Sequence, residues 1–286
     1  MSNNYPKVTR IILSGEFNGN IKKARNILIK LANKWPKNTK TRYLITCGGF
    51  INFKWPDLID NSMDIRKIPQ KTLKQFYSKA QNECDILLDS KLRQKLKKCT
   101  RYITIGIDST NAENGKHIEL VTLLDLKSNK YYWTGKFYPT VKQQNKLVRI
   151  NDLESHFLTL DNAKVLVLGC HDLNVFNPRA KAKASGWRKG LITSFTKLMN
   201  KKNPVIVLHH PHFTDSANIW RMALNELIKR YPSVKIFASA GRYYYNDVEC
   251  RSPPELVIQK TKVGETMDFY ILLFKRDTKI GMMDRL

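Results

Sequence analysis

The spacing of apolar residues along the first part of the chain changes from a strand period to a helix period and back. Aliphatic runs typical of strands occupy residues 8–14 and 43–47. Between them, apolar side chains recur every three or four residues over 21–35, which predicts an amphipathic helix. The chain therefore begins with a predicted βαβ unit.

A lysine-rich stretch and three consecutive strands follow. Residues 57–99 keep a helical period, and we expect a basic helical insertion that either packs over the core or forms a mobile arm. Strand patterns at 102–107, 118–126 and 130–138 are separated by turn residues, which predicts an antiparallel meander.

The second half of the chain alternates again between the two periods after a helical stretch near 148–157. The predicted strands are 164–168, 205–209, 234–238, 255–258 and 269–274, and the predicted helices are 187–199 and 217–231. We expect an α/β fold with mixed sheets flanked by helices and a basic helical insertion. Residues 1–286 are interpreted as one compact unit whose core, 100–250, carries the functional site.

The charge of the chain is strongly unbalanced. Lys and Arg number 50 against 24 Asp and Glu, a formal net charge of +26, while 42% of the residues are hydrophobic. This composition predicts a globular protein and points to a polyanionic partner, DNA or RNA first. A lysine-rich coat exposed to solvent is the alternative interpretation.

Targeting and cysteine patterns favour a location inside the cell. The N-terminus lacks the basic and apolar regions of a signal peptide, and no apolar run is long enough to cross a bilayer, so we expect a cytoplasmic protein without a membrane partner. An odd number of scattered cysteines predicts neither a disulfide framework nor a zinc finger, and four of the five are expected to be inert. They are Cys47, Cys84, Cys99, Cys170 and Cys250.

Histidines follow two of the predicted strands at the point where each strand ends. One block is Gly169-Cys170-His171-Asp172 and the other is Leu208-His209-His210-Pro211-His212. Because the carboxyl ends of parallel strands converge, these blocks predict a metal or acid–base site with His171, Asp172 and His210 as catalytic residues. Imidazoles suit a divalent metal such as zinc or manganese, so we expect Asp172, His209, His210 and His212 as ligands. In the alternative, Asp172 bonds the backbone of its own turn and His171 is a surface residue.

Cations lie on the segment between these two blocks. We predict that they hold a phosphodiester backbone, with Phe176 or Trp187 as a stacking surface; a core position for Trp187 is the alternative. The predicted nucleic-acid-binding residues are Arg179, Lys181, Lys183, Arg188, Lys189 and, after a later strand, Arg242.

Five short blocks, read in order, resemble those of the calcineurin-like metallophosphoesterases. They are Gly15-Glu16-Phe17-Asn18-Gly19-Asn20, Cys47-Gly48-Gly49-Phe50, the two histidine blocks, and Ser239-Ala240-Gly241-Arg242. The resemblance implies a two-metal phosphoesterase on a four-layer αββα sandwich. It makes His171 the acid–base histidine and places Glu16, Asn18 and His209 or His210 near the metals. Glu16 and Asn18 stand where the family has Asp and His, and Cys170 stands where it has a ligand asparagine.

A competing interpretation rests on strand order. The meander followed by alternating helices and strands resembles the ribonuclease H-like fold, in which Asp108 would meet Glu154 and Asp172 around two magnesium ions. Both interpretations predict an intracellular, nucleic-acid-associated, metal-dependent phosphodiesterase or nuclease. The alternative is a non-catalytic nucleic-acid-binding subunit on a degenerate hydrolase fold.

Overall fold

A computed structural model describes residues 7–15, 17–57, 59, 62–213, 218, 220–243, 254–273 and 278–283. The strands are β1 (Val8–Gly15), β2 (Thr41–Ile45), β3 (Ile51–Phe53), β4 (Thr100–Ser109), β5 (His117–Asp125), β6 (Lys130–Gly135), β7 (Leu147–Val148), β8 (Phe157–Leu160), β9 (Ala163–Gly169), β10 (Ile206–His210), β11 (Ile236–Ser239), β12 (Lys262–Val263), β13 (Thr266–Leu273) and β14 (Thr278–Met283). The helices are α1 (Ile21–Lys34), α2 (Gln70–Leu87), α3 (Ser90–Cys99), α4 (Pro178–Ala182), α5 (Gly186–Lys202), α6 (Arg221–Arg230) and α7 (Pro254–Lys260). Two 3₁₀ helices span Leu153–His156 and Asp172–Phe176.

The strands form two mixed sheets. The first has the order β14-β13-β1-β2-β4-β5-β6, with β3 also paired to β4 and β7 to β5. Its β1 is parallel to β13 and β2, whereas β4, β5 and β6 form the predicted antiparallel meander. The second sheet has the order β12-β11-β10-β9-β8, in which β9, β10 and β11 are parallel as predicted.

Apolar faces pack these elements into four layers. Tyr43 and Val121 of the first sheet pack with Val167 and Leu208 of the second in one buried cluster between the sheets. The outer face of the first sheet is covered by α1, α2 and α3, and the outer face of the second by α5 and α6. Because both faces of each sheet are buried, the strands read as nearly continuous aliphatic runs. The fold is an αββα sandwich, as expected.

Helices α2 and α3, which lie in the lysine-rich segment 57–99, belong to the outer helical layer. Phe76, Ala80 and Leu96 are fully buried in the same core cluster as Leu28 of α1. The mobile-arm alternative is therefore wrong, because this apolar stripe holds the helices against the sheet.

Two predicted elements differ from the structure. The stretch near 148–157 is not one helix, because β7 ends at Val148 and a 3₁₀ helix, Leu153–His156, precedes β8. The predicted strand 255–258 is instead part of α7. Pro254 begins that helix, where its fixed φ suits the first turn and its missing N–H costs no hydrogen bond.

A fully buried arginine connects the two sheets at one edge. Arg10 of β1 forms an ion pair with Asp268 of β13, with Nε–Oδ1 and Nη2–Oδ2 distances of 2.6 and 2.8 Å. The same guanidinium donates to the carbonyls of Ser239, Thr261 and Ile258. Pairing and hydrogen bonding together satisfy this buried charge, and they fix the second sheet against β1.

Many lysines lie on the outer helical faces. Lys22, Lys30, Lys74, Lys95 and Lys98 are all exposed on α1, α2 or α3. These lysines form part of a solvent-facing positive coat, as the alternative interpretation expected. Within the described ranges, no helix is both long and apolar enough to cross a membrane.

Candidate active site

Cys170 occupies the turn where β9 ends and the 3₁₀ helix Asp172–Phe176 begins. The residue is buried, with 7% of its surface exposed. The backbone N–H of His212, just beyond β10, donates a hydrogen bond of 3.4 Å to the Cys170 Sγ atom. Since β9 and β10 are parallel neighbours, their carboxyl ends bring these two residues together.

Asp172 holds this turn against the segment that follows β6. Its Oδ1 atom accepts from the backbone N–H groups of Phe137 and Tyr138, at 3.0 and 2.9 Å. Its Oδ2 atom accepts from the N–H of Gly169 at 2.9 Å. Burial raises the pKa of Asp172 to about 7, against these donors. Asp172 therefore acts as a clamp that positions the neighbouring Lys136. Its bond to the Gly169 N–H is the contact within its own turn that the alternative interpretation expected.

Three charged residues form a row across the first sheet. Asp108 of β4 is opposite Glu119 of β5 in the antiparallel register. The backbone N–H of Lys136, directly after β6, donates to the Glu119 carbonyl at 2.9 Å. Directly opposed residues of neighbouring strands share a face of the sheet, so the register itself assembles this row.

Glu119 and Lys136 form a buried ion pair. The Lys136 Nζ atom lies 3.0 and 2.9 Å from the two Glu119 oxygens, and it also donates to the Gln143 side-chain oxygen at 2.7 Å. Gln143 completes the triangle by donating to Glu119 Oε1 at 2.8 Å. Burial opposes both charges, but Lys136 and His212 lower the pKa of Glu119 well below its usual value. The pKa of Lys136 is raised, because Glu119 outweighs the effect of burial.

His212 joins the thiol to the charged row. Its Nε2 atom is 2.7 Å from Asp108 Oδ2, and its Nδ1 atom is 3.6 Å from Glu119 Oε2. The imidazole is also in side-chain hydrogen-bonding contact with Cys170. Burial disfavours the imidazolium, but the two carboxylates outweigh burial and raise the pKa of His212 well above its usual value. His212 is therefore an imidazolium at neutral pH.

Two glycines pack directly behind this imidazole. The N–H of Gly48 donates to the Pro211 carbonyl at 3.1 Å, and a Cβ atom at Gly48 would lie 2.9 Å from His212 Nδ1. Gly49 has a φ of +58°, and a Cβ atom there would lie 2.6 Å from Asp108 Oδ2. The loop after β2 must therefore lack side chains for His212 and Asp108 to meet.

The residues of the cluster differ in their exposure to solvent. The side chains of Lys136 and Glu119 are 2% and 9% exposed, whereas those of His212 and Asp108 are 21% and 24% exposed. A thiol, an imidazolium held by a carboxylate and a buried ammonium thus meet at a partly open site. This is the arrangement of nucleophile, acid–base group and orienting carboxylate that covalent catalysis requires.

His209, a predicted metal ligand, contacts the backbone of the turn that carries Cys170. Its Nδ1 atom is 2.9 Å from the Ser239 hydroxyl, and its Nε2 atom is 2.9 Å from the Cys170 carbonyl oxygen. Burial lowers the pKa of His209 to about 3, so the ring is neutral. With both nitrogens engaged, it has no lone pair for a metal.

His210 and His171 are also held by neighbours. The Nδ1 atom of His210 is 2.7 Å from the Thr46 carbonyl oxygen, and its buried Nε2 atom has no hydrogen-bond partner among the described residues. The Nδ1 atom of His171 is 2.9 Å from the Asn174 amide nitrogen. Burial lowers the pKa of each to about 4. These two rings are neutral, and His212 is the predicted histidine that contacts the thiol.

The prediction of a divalent metal is wrong. The described ranges contain no group of three or more His, Cys, Asp or Glu side chains arranged to hold a metal ion. Two of the predicted ligands, Asp172 and His209, are held by hydrogen bonds within the fold. Asn18 is exposed, with its carbonyl accepting from the Asn52 side chain at 2.8 Å. Glu16 lies outside the described residues.

The predicted nucleic-acid-binding cations differ in their exposure and in their hydrogen-bond partners. Arg188 donates to the Pro139 carbonyl at 2.9 Å, and Arg242 hydrogen-bonds to the carbonyls of His212 and Phe17. Lys181 is half-buried, and the exposed members are Arg179, Lys183 and Lys189. Arg188 and Arg242 thus contribute to the packing around the site.

The acidic residues of the ribonuclease H-like alternative serve separate purposes. Glu154 pairs with Lys202 at 2.8 Å and its side chain is 56% exposed. Asp108 holds His212, and Asp172 accepts only amide N–H donors in the contacts described above. The two-magnesium site of this alternative is wrong, because no group of three or more such side chains among the described residues could hold a metal ion.

Comparisons with known proteins agree with this correction. No protein-family model matches the chain, and no curated protein matches its sequence. Among solved structures, a variant of the amidase from Nesterenkonia sp. AN1 matches with a TM-score of 0.50 and 12% identity, over 85% of this chain and 78% of that chain. That structure shows the acetamide moiety of fluoroacetamide added covalently at the active site cysteine. Nit3 of Saccharomyces cerevisiae, a member of branch 10 of the nitrilase superfamily, matches with a TM-score of 0.50 and 12% identity, over 84% of this chain and 77% of that chain.

At this identity the comparison establishes the fold alone, and the fold is that of nitrilase-superfamily proteins. The resemblance to calcineurin-like metallophosphoesterases is therefore wrong, together with the metal-dependent nuclease and the DNA or RNA partner that followed from it. The alternative of a non-catalytic nucleic-acid-binding subunit is wrong for the same reason, because it depended on the same family resemblance. An αββα sandwich and polar strand ends are common to both kinds of fold, so short blocks at strand ends do not separate them.

The sequence reasoning missed four residues of the cluster. They are Cys170 as a candidate nucleophile, the charged residues Glu119 and Lys136, and the uncharged Gln143 that hydrogen-bonds to both. Signals for two of them were present, because Glu119 interrupts the aliphatic strand β5 and Lys136 follows β6 before two aromatic residues. Charged residues that are buried require partners, so each predicts a nearby opposite charge.

Proposed function

We propose that this protein is a hydrolase that cleaves the carbon–nitrogen bond of small amides, with Cys170 as the nucleophile. The observation that carries the proposal is the contact of the Cys170 thiol with the imidazolium of His212, which Asp108 holds at 2.7 Å. The fold shared with solved amidases supports the choice of substrate class. A cytoplasmic location stays a prediction.

The first half of the reaction is acyl transfer to sulfur. Cys170 attacks the amide carbonyl carbon through its Sγ as a thiolate that is paired with the imidazolium of His212. A carbon–sulfur bond forms and the carbonyl π electrons move to oxygen, where the ammonium of Lys136 stabilises the negative charge. The carbon–nitrogen bond then breaks as His212 gives its proton to the leaving nitrogen, which departs as ammonia or an amine.

The second half hydrolyses the thioester. Neutral His212 takes a proton from water while the water oxygen attacks the thioester carbonyl. The carbon–sulfur bond breaks, the carboxylic acid leaves, and the thiolate–imidazolium pair is restored. Asp108 keeps the imidazole oriented in both halves, and Glu119 fixes the Lys136 ammonium in place.

Covalent labelling tests the nucleophile directly. The full chain is treated with fluoroacetamide, and intact mass and peptide mapping identify the modified residue. We expect one acetamide moiety on Cys170, and none in Cys170→Ala. Ammonia release from a panel of small aliphatic amides should be lost in the same variant.

Cys99→Ser is the matched control, because Cys99 is a buried thiol at the end of α3 on the other side of the first sheet. It should label and turn over like the wild type. Labelling at another cysteine in preference to Cys170, or ammonia release that survives Cys170→Ala, would overturn the proposal.

A further inference from the structure

His212 lies beyond the strand that leads to it. The pairing of β10 with β9 ends at His210 and its pairing with β11 ends at His209, so neither ladder includes His212. Its imidazole nevertheless meets Asp108, which belongs to the other sheet, at 2.7 Å. Contacts outside the two ladders must therefore fix this residue.

Arg242 bonds twice to the backbone of His212. The His212 carbonyl accepts from the backbone N–H of Arg242 at 3.3 Å and from its Nε–H group at 2.9 Å. The Nη1 atom of the same guanidinium donates to the carbonyl of Phe17, beyond the end of β1. One planar group thus joins the segment after β1 in the first sheet to the segment after β10 in the second. A guanidinium suits this position, because its donors have fixed directions and its charge strengthens each bond to a carbonyl.

Arg242 is itself anchored to β1. The N–H of Leu13 donates to the Gly241 carbonyl at 3.1 Å, and the N–H of Tyr243 donates to the Leu13 carbonyl at 3.0 Å. The residues on either side of Arg242 therefore bond to the same residue of that strand. At the other end of the guanidinium, the accepting carbonyl belongs to Phe17, whose side chain is buried. The guanidinium is thus held at both ends by parts of the fold that are themselves fixed.

The backbone of His212 sets both of its contacts within the active site. Its N–H donates to the Cys170 Sγ atom at 3.4 Å, and its ring contacts Asp108 and Glu119 through different nitrogens. Hydrogen bonds weaken steeply with distance and angle, so a small displacement of this backbone would loosen these contacts together. The carbonyl that Arg242 holds belongs to the same residue, so the arginine controls both contacts through one backbone position.

We propose that Arg242 is a positioning residue of the active site, whose guanidinium holds the backbone of His212 so that its imidazole meets Asp108 and Cys170. The inference rests on the proposed function for the reaction that His212 and Cys170 perform. It assigns a role to the last of the five sequence blocks, in which Arg242 follows β11. That role is the alignment of an acid–base residue.

Charge and position predict opposite changes in the pKa of His212. If Arg242 acted through its charge, its removal would take away a neighbouring cation and raise this pKa. If Arg242 acts by position, its removal loosens the contact with Asp108, and the pKa falls from its raised value towards the usual value of 6.5. The sign of the change separates the two roles, and a loss of global stability by itself produces neither change.

Proton NMR of the histidine Cε1 groups tests the proposal in full-length Arg242→Met, which keeps an unbranched stem and removes the guanidinium. We expect the pKa of His212, assigned with His212→Asn, to fall by about 1 unit, which is a tenfold weaker affinity for the proton. With the best substrate of the amide panel, kcat should fall about tenfold or more, because a misplaced acid–base group is costly. KM should stay unchanged, since Arg242 is proposed to align His212 and not the substrate.

Arg242→Lys separates charge from geometry and serves if Arg242→Met folds poorly. It keeps the positive charge, but one ammonium lacks the fixed fork that holds both carbonyls, so the pKa of His212 should fall here as well. Arg25→Met is the matched control, because Arg25 is a half-buried arginine that donates to a backbone carbonyl, that of Leu87, in the outer helical layer. It should leave the His212 pKa, kcat and KM unchanged. An unchanged or raised His212 pKa in either folded Arg242 variant would overturn the proposal.

The outcomes separate this inference from the hydrolase proposal. A lower His212 pKa in the Arg242 variants, together with no ammonia release from any amide by the wild type, would retain the positioning role and reject the hydrolase. Equal kcat values for the wild type and both Arg242 variants, with an unchanged His212 pKa, would retain the hydrolase and reject the positioning role.

Discussion

The pair formed by Asp108 and His212 gives the most direct test of the site. Asp108→Asn keeps the shape of the side chain and removes its negative charge. The substitution weakens the hydrogen bond between His212 Nε2 and Asp108 Oδ2, which are 2.7 Å apart. Both side chains are mostly buried. A hydrogen bond between charged groups contributes about 1.5–3 kcal/mol. At about 1.4 kcal/mol for each pKa unit, the pKa of His212 should fall by about 1–2 units.

Glu119 remains 3.6 Å from His212 Nδ1 in this variant and supplies the rest of the raised pKa. Because the folded-state pKa of His212 lies above its unfolded value of about 6.5, its stabilising effect is fully present below pH 6.5. That effect disappears as the pH rises through the folded-state pKa. The difference in unfolding free energy between wild type and Asp108→Asn should therefore be largest near pH 6 and shrink at higher pH.

Two measurements check this reasoning. Proton NMR of the histidine Cε1 groups, assigned with His212→Asn, gives the pKa of His212 in both proteins, and urea unfolding at several pH values gives the stability difference. Asp57→Asn is the control, because that carboxylate is exposed in a surface pair with Lys54. An unchanged His212 pKa in Asp108→Asn, or a stability difference that does not depend on pH, would refute the assigned role of the pair.

Three further substitutions probe the parts that position the cluster. Gly48→Ala places a methyl group 2.9 Å from His212 Nδ1, so ammonia release should fall and urea unfolding should show a loss of about 1–3 kcal/mol; full activity would contradict the packing described. Asp172→Asn presents an amide N–H to backbone donors and should cost about 1–3 kcal/mol in the same assay, whereas wild-type stability would show that the clamp is dispensable. Glu119→Gln leaves the buried Lys136 ammonium without its paired carboxylate and should cost about 3–5 kcal/mol. The double variant with Lys136→Met should recover much of that loss, and a double variant no more stable than the single one would contradict the ion-pair argument.

The net charge shows how composition can mislead. A charge of +26 favours polyanions as a class, but it does not say where the charges lie. In the structure, lysines such as Lys30 and Lys95 face solvent on the outer helices. Arg10, Lys136 and Arg149 are instead buried inside the fold. The few buried cations are therefore more informative about function than the many exposed ones.

The sequence alone determined the α/β class, the parallel strands of the second sheet, the antiparallel meander, and the meeting of residues 170–172 with 209–212 at strand ends. These follow from local periodicity and from the rule that parallel strands end at one edge, and both are properties of short segments. The tertiary structure decided which atoms are free to react. His212 and Asp108 are 104 residues apart, and His210 and Thr46 are 164 apart, so no local pattern relates them. In the folded protein both ring nitrogens of His209 are hydrogen-bonded, and Asp172 is bonded to backbone N–H donors. His212 lies beside Cys170. A pattern predicts which side chains lie at an edge, but chemistry depends on hydrogen bonds and charges contributed from distant parts of the chain.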